Sequence, residues 1–396
     1  MADTPRGDRK KGAATRLVHG GRHPAEHHGF VNTPVYRGST VLYPDAAALA
    51  AGDVRYPYGR RNTPTMEALH EAIAELDGAA GCLTAPSGLA AISNTLLCLV
   101  GAGDHILMTD CVYFPTRRFC DRVLARLGVE TEYYDPLIGG RIADLMRPNT
   151  RLVYTESPGS RTFEVQDLPA IAAAAHAGGA LVVIDNTWAT PLYFRPLDKG
   201  ADISVYAGTK YFGGHSDIML GAVTANESVW PELHTAWYNF GNCAGTEEMF
   251  LGLRGLRTMG VRLTRHMQSA LEIARWLADR PEVDIVLHPG LAGAPGHELW
   301  RRDFTGASGL FSVILKPAPR AAVDAMLDEL QLFGLGYSWG GYESLAIPFD
   351  PAERRTPPAW ENAGPGLRFH IGLEDVDDLK ADLAAGLACL GAAAGS

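Results

Sequence analysis

Short apolar runs alternate with stretches of helical periodicity through the middle of the chain. Apolar and β-branched residues are concentrated in runs that predict strands over 105–109, 129–134, 152–156, 181–185, 203–207 and 220–224. Between these runs, apolar residues three or four positions apart predict helices over 87–100, 115–127 and 167–178. Strands that alternate with helices are typical of a mostly parallel central sheet with helices on both faces. We therefore expect an α/β fold in this region.

The pattern differs on either side of this region. Residues 30–62 are rich in Pro, Tyr, Gly and Arg and lack a helical period, which is typical of an extended arm. Thr63-Pro64 then predicts the start of a helix, because threonine is a good N-cap and proline suits the first helical position. Beyond residue 256 the elements predict a smaller α+β domain, with helices over 261–279, 320–333 and 375–391 and strands over 310–315 and 367–371.

These changes of pattern divide the 396-residue chain into three parts. We assign residues 1–62 to an N-terminal tail and extended arm, 63–255 to the α/β domain and 256–396 to the smaller C-terminal domain. Residues 1–23 carry six Lys or Arg and two Asp without an apolar segment. This composition predicts a disordered basic tail rather than a signal peptide or a membrane span.

Composition argues against several classes of protein. The net charge of −10 argues against nucleic-acid binding, because a nucleic-acid-binding protein needs a basic surface to neutralise phosphates. No apolar run reaches the ~18 residues that a membrane helix requires. The six cysteines show no CxxC spacing, so we expect reduced thiols and a cytoplasmic location rather than disulfides or zinc.

Candidate chemistry is concentrated at the carboxyl ends of two predicted strands, where ligands bind in parallel sheets. Lys210 follows one strand in the stretch Ala207-Gly-Thr-Lys-Tyr, and Asp185 is the last residue of the strand before it. A lysine at the end of a buried strand shifts its pKa readily, which suits Schiff-base chemistry. A lysine that holds an aldehyde and a carboxylate that keeps a ring nitrogen protonated are what pyridoxal phosphate needs. A surface lysine on a turn is the competing interpretation of Lys210 alone.

A turn between a strand and a helix is a candidate phosphate site. Ser87, Gly88 and Leu89 open a predicted helix, where free backbone N–H groups and the helix dipole favour an anion. A capped helix start explains the same residues without a ligand. Tyr113, directly after a strand, can stack on an aromatic cofactor or pack on the sheet. Thr209 can donate to a phosphate or satisfy its own turn.

Two arginines are candidate anion ligands. Arg60 stands near Tyr58 in the arm, and their guanidinium and hydroxyl groups suit a phosphate, with solvated surface side chains as the alternative. Arg368 alternates with apolar residues in a predicted strand, so it points away from the apolar face, where it can clamp a carboxylate or face solvent. His215 and Asp217 have no further metal ligands at suitable spacing, so we expect no metal site.

Taken together, these motifs resemble the Cys/Met-metabolism family of pyridoxal-phosphate enzymes, which has the aspartate-aminotransferase-like fold type I. The resemblance extends over residues 16–391 and rests on Tyr58-x-Arg60, Ser87-Gly88, Tyr113, Asp185-Asn-Thr and Thr209-Lys210-Tyr. It implies that Lys210 holds the cofactor and acts as the base at the substrate Cα. It also implies that Asp185 pairs with the ring nitrogen and that Tyr113 stacks on the ring.

The resemblance implies further binding residues. The turn from Ser87 to Leu89 and the Thr209 hydroxyl would bind the cofactor phosphate, joined by Tyr58 and Arg60 of a partner subunit. Arg368, with the backbone of Ser338 and Trp339, would hold the substrate carboxylate, and Tyr238 would approach from the partner. Sites shared in this way imply dimers, and the family resemblance implies a homotetramer of two such dimers.

Two departures from the wider family favour its β-lyase branch. Ala207 stands where many members have serine before the cofactor lysine, and Gly159-Ser160 stands where many have Asn-Pro. The branch implies β-elimination from cystathionine, which yields homocysteine, pyruvate and ammonia in methionine biosynthesis. A γ-lyase or γ-replacement enzyme of the same family is the alternative. A regulatory protein on an inactive fold is disfavoured by the intact set of Lys210, Asp185 and Arg368.

Overall fold

A mostly parallel seven-stranded sheet organises the larger part of the molecule, in a computed structural model that describes residues 11–356 and 359–393. Its strands are β1 Gly81–Ala85, β2 His105–Thr109, β3 Glu130–Tyr134, β4 Thr150–Glu156, β5 Leu181–Asp185, β6 Ile203–Tyr206 and β7 Gly221–Ala225. Their order is β1-β7-β6-β5-β4-β2-β3. β7 runs antiparallel to both of its neighbours, whereas β6, β5, β4, β2 and β3 are parallel. The predicted α/β fold is confirmed.

Helices cover the sheet and connect its strands. They are α1 Ala13–His19, α2 Ala46–Ala51, α3 Pro64–Asp77, α4 Gly88–Leu99, α5 Phe114–Phe119, α6 Leu168–Ala177, α7 Thr190–Tyr193, α8 Trp230–Trp237, α9 Thr246–Ala278, α10 His297–Asp303, α11 Arg320–Glu329 and α12 Val376–Ala393. Alternate residues of a strand face opposite sides of a sheet. In β5, Val182 and Ile184 therefore join the apolar core with α3, α6 and α9, while Val183 joins the core with α4 and α8.

A second, mainly antiparallel sheet forms the smaller layer. Its strands are β8 Val283–Leu287, β9 Leu310–Leu315, β10 Gly334–Leu335, β11 Leu345–Phe349 and β12 Gly366–His370, in the order β10-β11-β12-β9-β8. Phe311 of β9 and Phe369 of β12 are fully buried against Leu277 of α9, Val323 of α11 and Leu383 of α12. This core is separate from the two cores of the larger sheet.

The long helix α9 begins at Thr246, 15 residues before the predicted start at 261, so that part of the prediction is wrong. Gly252, Gly255 and Gly260 interrupt the apolar pattern there. The fold explains one of them, because a Cβ on Gly255 would lie 2.0 Å from the Phe212 carbonyl oxygen. Close backbone contact requires glycine at that position. The division at 255/256 falls inside this helix and stays a prediction.

Part of the predicted disordered tail is a helix. Residues 1–10 lie outside the described residues, but α1 begins at Ala13 and buries Leu17, so the prediction is wrong for this stretch. The Leu17 carbonyl accepts a hydrogen bond of 2.7 Å from Arg257 on α9. Arg16 donates a hydrogen bond of 2.9 Å to the Glu75 carbonyl on α3. These contacts between distant parts of the sequence stabilise a segment whose composition predicts disorder.

Other elements differ from prediction in extent. The helix predicted over 115–127 ends at Phe119 and continues as a π-turn, Cys120–Leu124, and a 3-10 turn, Ala125–Leu127. The predicted extended arm contains the short helix α2, capped by Asp45. β8, β10 and β11, in the small sheet, have no counterpart in the sequence prediction. All six cysteines are free thiols. No helix in the described part of the chain is long and apolar enough to span a lipid bilayer.

Candidate active site

The carboxyl ends of β5 and β6 bring Asp185 and the loop that carries Lys210 together. β5 and β6 are parallel neighbours, so both loops emerge at the same edge of the sheet. Thr187 connects them: its hydroxyl donates to Asp185 Oδ1 at 2.5 Å and accepts the Ala207 N–H at 2.9 Å. The Thr187 N–H donates to the same carboxylate oxygen at 2.9 Å. This arrangement fixes the Asp185 carboxylate beside the lysine loop.

The Lys210 amine lies between the two sheets. Nζ donates a hydrogen bond of 2.5 Å to the Ser338 hydroxyl and lies 5.3 Å from the centre of the Trp339 ring. Burial and, secondarily, the Arg368 charge lower the pKa of Lys210 to about 8, while the Asp185 carboxylate opposes the change. A lowered lysine pKa increases the neutral, nucleophilic fraction near neutral pH. The environment therefore suits reaction with an aldehyde.

Burial also acts on the Asp185 carboxyl group. Burial raises its pKa, and the hydrogen bonds from Thr187 and the charge of Lys210 oppose that effect. A positively charged ring nitrogen placed beside the carboxylate would favour its ionised form further. Asp185 is thus suited to pairing with a pyridinium.

The N-terminus of α4 lies against the lysine loop. Ser87 is the N-cap, and its hydroxyl accepts the Ala90 N–H at 3.1 Å. The first N–H groups of a helix have no partner within the helix, which leaves those of Gly88 and Leu89 available to an anion. A Cβ on Gly88 would lie 2.6 Å from the Ala207 Cβ, so this close approach requires glycine. The Ser87 hydroxyl caps the helix, and its role toward a cofactor stays a prediction.

The Thr209 hydroxyl is engaged with its own turn. It accepts the Leu220 N–H at 2.9 Å and donates to the Leu220 carbonyl at 3.1 Å. These bonds tie the lysine loop to the residues preceding β7. Thr209 therefore satisfies the turn in this structure, and its donation to phosphate stays a prediction.

Tyr113 follows β2 and precedes α5, and 45 % of the residue is exposed. Its N–H donates a hydrogen bond of 2.7 Å to Glu156 Oε2, at the end of β4. Glu156, Asp185 and Arg368 lie close enough to influence the Tyr113 phenol, whose pKa is raised mainly by burial. The half-exposed ring thus borders the same cleft as Asp185.

Arg368 enters the cleft from β12 of the small sheet. Its neighbours in the strand, Leu367 and Phe369, are fully buried on the opposite face, as their alternation predicts. The guanidinium donates a hydrogen bond of 3.0 Å to the Ser338 carbonyl. Burial and the nearby Arg161 lower the pKa of Arg368 to about 10. Arg368 is therefore a half-buried cation beside Lys210 rather than a solvent-facing strand residue.

His370 supports the loop that carries Ser338 and Trp339, and the sequence did not identify it. Its Nε2 lies 3.1 Å from the Gly340 nitrogen and 3.0 Å from the Gly341 carbonyl oxygen. Gly340 has φ +91, and a Cβ there would lie 3.0 Å from the Lys210 Cα. Burial lowers the pKa of His370 to about 3, so the ring is neutral. A histidine alternating with apolar residues gave no sign that it would be buried.

Glu156 and Thr187 are further site residues that the sequence prediction did not single out. The sequence nevertheless contains an indication for each of these two residues. Glu156 ends a predicted strand on a carboxylate, as Asp185 does, and Thr187 belongs to the Asp185-Asn-Thr motif. A polar residue that terminates a buried parallel strand is a candidate ligand by position alone.

Arg60 and Tyr238 contact each other in this chain, and Tyr58 stands two residues before Arg60 in the arm. Arg60 donates a hydrogen bond of 3.3 Å to the Tyr238 carbonyl, and the Tyr238 hydroxyl donates one of 2.9 Å to the Arg61 carbonyl. Tyr58 is 44 % exposed. Among the described residues, these three side chains make no hydrogen bond to the group around Lys210. Within one chain, the hydrogen bonds of Arg60 and Tyr238 are therefore made to each other and to the arm.

Metal binding has no support in the described ranges, 11–356 and 359–393. No three His, Cys, Asp or Glu side chains are grouped there as metal ligands. The Nδ1 atom of His215 instead lies 2.8 Å from the Gly213 carbonyl oxygen.

The donor set of the cleft fits pyridoxal phosphate. A lysine with a lowered pKa suits the aldehyde, and a buried carboxylate suits the ring nitrogen. Free N–H groups at the start of α4 suit the phosphate, and the half-exposed Tyr113 ring offers an aromatic face. Arg368 is available to bind a carboxylate, which is the group that every amino-acid substrate carries.

Comparisons with known proteins agree with this chemistry. The family described as Cys/Met metabolism PLP-dependent enzyme matches residues 14–388. The cystathionine beta-lyase of Salmonella typhimurium is 47 % identical over 94 % of this chain and 98 % of its own. Cystathionine beta-lyase MetC of Escherichia coli is 45 % identical over the same shares. A crystal structure of metB from Corynebacterium glutamicum superposes with a TM-score of 0.89 at 32 % identity, covering 96 % of this chain and 98 % of that one.

Proposed function

Because the chain belongs to the Cys/Met metabolism family of pyridoxal-phosphate-dependent enzymes, we propose that it cleaves cystathionine by β-elimination. The products would be homocysteine, pyruvate and ammonia. Relatives at 45–47 % identity over nearly the full chain carry the name cystathionine beta-lyase, which supports this substrate over others of the family. The proposal places the enzyme in methionine biosynthesis.

One observation carries the proposal most directly. The Lys210 amine, the Asp185 carboxylate and the Arg368 guanidinium meet where the two sheets face each other. An amino acid held at Arg368 by its carboxylate would present its Cα to Lys210. Bidentate binding by arginine also restricts the orientation of the substrate, so that the same C–H bond is always presented to the base.

Different residues of the cleft would have different roles in the reaction. When bound, pyridoxal phosphate accepts the electron pair that is released at the substrate Cα. Lys210 would remove the Cα proton and return a proton to the departing sulfur, which its pKa of about 8 permits in both directions near neutral pH. Trp339 and Ser338 flank the amine and limit where it can move.

The cofactor would be held from several elements. Asp185 would pair with the ring nitrogen and Tyr113 would stack on the ring. The amides of Gly88 and Leu89 would bind the phosphate from the start of α4, with Ser87 and Thr209 beside them.

A second subunit would complete the phosphate site. Arg60 and Tyr238 are hydrogen-bonded to each other and to the arm, and among the described residues neither they nor Tyr58 have a side-chain hydrogen bond to the Lys210 group. We propose that all three residues reach the cleft of a partner, in a homotetramer of two such dimers.

The free state of all six cysteines supports a cytoplasmic location.

Product analysis tests the proposed function. The purified enzyme is incubated with cystathionine while pyruvate, homocysteine and 2-oxobutyrate are assayed in parallel, with the Lys210→Ala variant as the control. Equal amounts of pyruvate and homocysteine support β-elimination. Formation of 2-oxobutyrate would assign γ-chemistry instead. A protein without cofactor absorbance and without products would be a binding protein.

A further inference from the structure

A second carboxyl group lies beside Asp185 at the edge of the sheet. Glu156 is the last residue of β4, and it is directly paired with Asp185, the last residue of β5. Neighbouring strands lie ~4.8 Å apart, so the two side chains emerge next to each other. Asp185 is proposed to pair with the ring nitrogen, whereas the proposed function gives Glu156 no role.

The Glu156 carboxylate is bonded to the backbone of the residue that is proposed to stack on the cofactor. Its Oε2 accepts the Tyr113 N–H at 2.7 Å. Tyr113 is the N-cap position of α5, and its own side chain makes no capping hydrogen bond. With 45 % of the residue exposed, packing alone does not hold the ring. The bond to Glu156 holds the backbone N–H of the residue from which the ring projects, while the Tyr113 carbonyl accepts the first N–H groups of α5.

Glu156 is itself held in place from the opposite side. Its carbonyl accepts a hydrogen bond of 2.8 Å from the Gln166 amide, and Gln166 also accepts the Tyr134 hydroxyl at 3.0 Å. The backbone of Glu156 is paired to β5 as well. The acceptor for Tyr113 thus projects from a rigid strand end, which is the usual basis for accurate positioning of a site residue.

We propose that Glu156 is a positioning residue that fixes the Tyr113 ring over the cofactor through the Tyr113 N–H. This inference rests on the proposed cofactor site. The acceptor oxygen is what the role requires, and a neutral carboxyl or an amide supplies it as well as a carboxylate does. In agreement, burial and the Asp185 charge raise the pKa of Glu156 well above its usual range.

Removal of the acceptor is expected to loosen cofactor binding. Glu156→Met keeps the length of the side chain but replaces the oxygen acceptor with a weakly accepting sulfur, and we expect about tenfold weaker cofactor binding, since the hydrogen bond from the Tyr113 N–H is weakened or lost. Glu156→Gln retains an acceptor oxygen, and we expect its cofactor Kd to remain within about twofold of wild type. Cofactor affinity is measured by titration of the apoenzyme with pyridoxal phosphate, and the circular dichroism of the bound cofactor is recorded at saturation.

A double-mutant cycle separates positioning from a general structural effect. In a Tyr113→Ala background, Glu156→Met has no ring left to position, so it is expected to change the cofactor Kd less than about twofold. Asp202→Leu is the matched control, because Asp202 is also a buried carboxyl that accepts a backbone N–H, from Val182 at 2.8 Å, but at the opposite end of the strands. It is expected to lower Tm without changing the cofactor dichroism.

Two results would overturn the proposal. One is an equal loss of affinity from Glu156→Met with and without Tyr113. The other is a Glu156→Gln variant that behaves like Glu156→Met, which would mean that the charge matters and the acceptor does not. If Glu156→Met fails to fold, Glu156→Leu replaces it in the same cycle. These measurements do not depend on cystathionine, so failure of the proposed reaction would be seen separately in the product assay.

Discussion

The Lys210 amine donates a hydrogen bond of 2.5 Å to the Ser338 hydroxyl across the contact between the two sheets. Lys210 belongs to the loop after β6, and Ser338 to the loop between β10 and β11. Ser338 has φ +85, an uncommon conformation for a residue other than glycine, and its carbonyl accepts Arg368. One residue thus contacts both the proposed base and the proposed carboxylate ligand, so the two groups are placed relative to each other.

Replacement of Lys210 should remove both chemistry and the covalent link to the cofactor. Lys210→Ala is expected to show no detectable pyruvate formation from cystathionine and to lack the absorbance band of the lysine-bound cofactor, because the amine that would form the link and act as the base is removed. Absorbance spectra and the pyruvate assay measure this. Lys316→Ala, at an exposed position, is the control and should resemble wild type. Substantial turnover by Lys210→Ala would contradict the assignment.

Arg368→Lys should impair substrate use while the cofactor remains bound. A lysine ammonium cannot reproduce the two parallel hydrogen bonds of a guanidinium, and the loss of ~1.5–3 kcal/mol corresponds to roughly ten- to a hundredfold in kcat/KM. Steady-state kinetics with cystathionine measure the effect. Arg320→Lys, at an exposed ion pair with Asp324, provides the control. Unchanged kcat/KM in Arg368→Lys would mean that Arg368 does not bind the substrate carboxylate.

Attachment of the cofactor should depend on pH through the Lys210 amine. Attack on the aldehyde requires the neutral amine, and burial lowers the pKa of Lys210 to about 8. The rate of reconstitution of the apoenzyme with pyridoxal phosphate should therefore rise with pH through a midpoint near 8, rather than near the ordinary lysine value of about 10.4.

The Arg368 charge contributes to this lowered pKa, which gives the pH dependence a second test. In Arg368→Gln the neighbouring positive charge is absent, so the pKa of Lys210 should rise and the midpoint of reconstitution should move to higher pH. Stopped-flow absorbance between pH 6 and 10, in roughly constant ionic strength, measures both proteins. A wild-type midpoint close to that of free lysine would show that the amine is not buried.

Subunit complementation tests whether Arg60 serves a partner. Lys210→Ala and Arg60→Ala chains are mixed under conditions that allow exchange of subunits. If Arg60 crosses to the neighbouring cleft, some hybrid dimers contain one complete site, and activity should reappear. Lys210→Ala mixed with Asp185→Ala is the control, because both of those residues belong to one chain and no complete site forms. No recovery in the first mixture, despite demonstrated exchange, would place Arg60 within its own chain.

Local patterns in the sequence determined much of the larger sheet. β2 and β5 have the predicted bounds, and Asp185 stands at the predicted strand end. These strands are buried on both faces, so each contains a continuous apolar run followed by the polar residue that ends the strand, Thr109 in β2 and Asp185 in β5. The same property allowed Lys210 and Asp185 to be placed at one edge of the sheet, since parallel strands end on the same side.

Only the tertiary structure decided which distant residues complete the cleft. Ser338 contacts Lys210 across 128 residues of sequence, and Glu156 contacts Tyr113 across 43. Such contacts between distant residues leave no periodic pattern in the sequence. The folding of α1 and the early start of α9 depend in the same way on packing, through Leu17 and the glycine at position 255. Strand and helix periodicity reports only which side of an element is buried. What it is buried against is determined when the elements pack together.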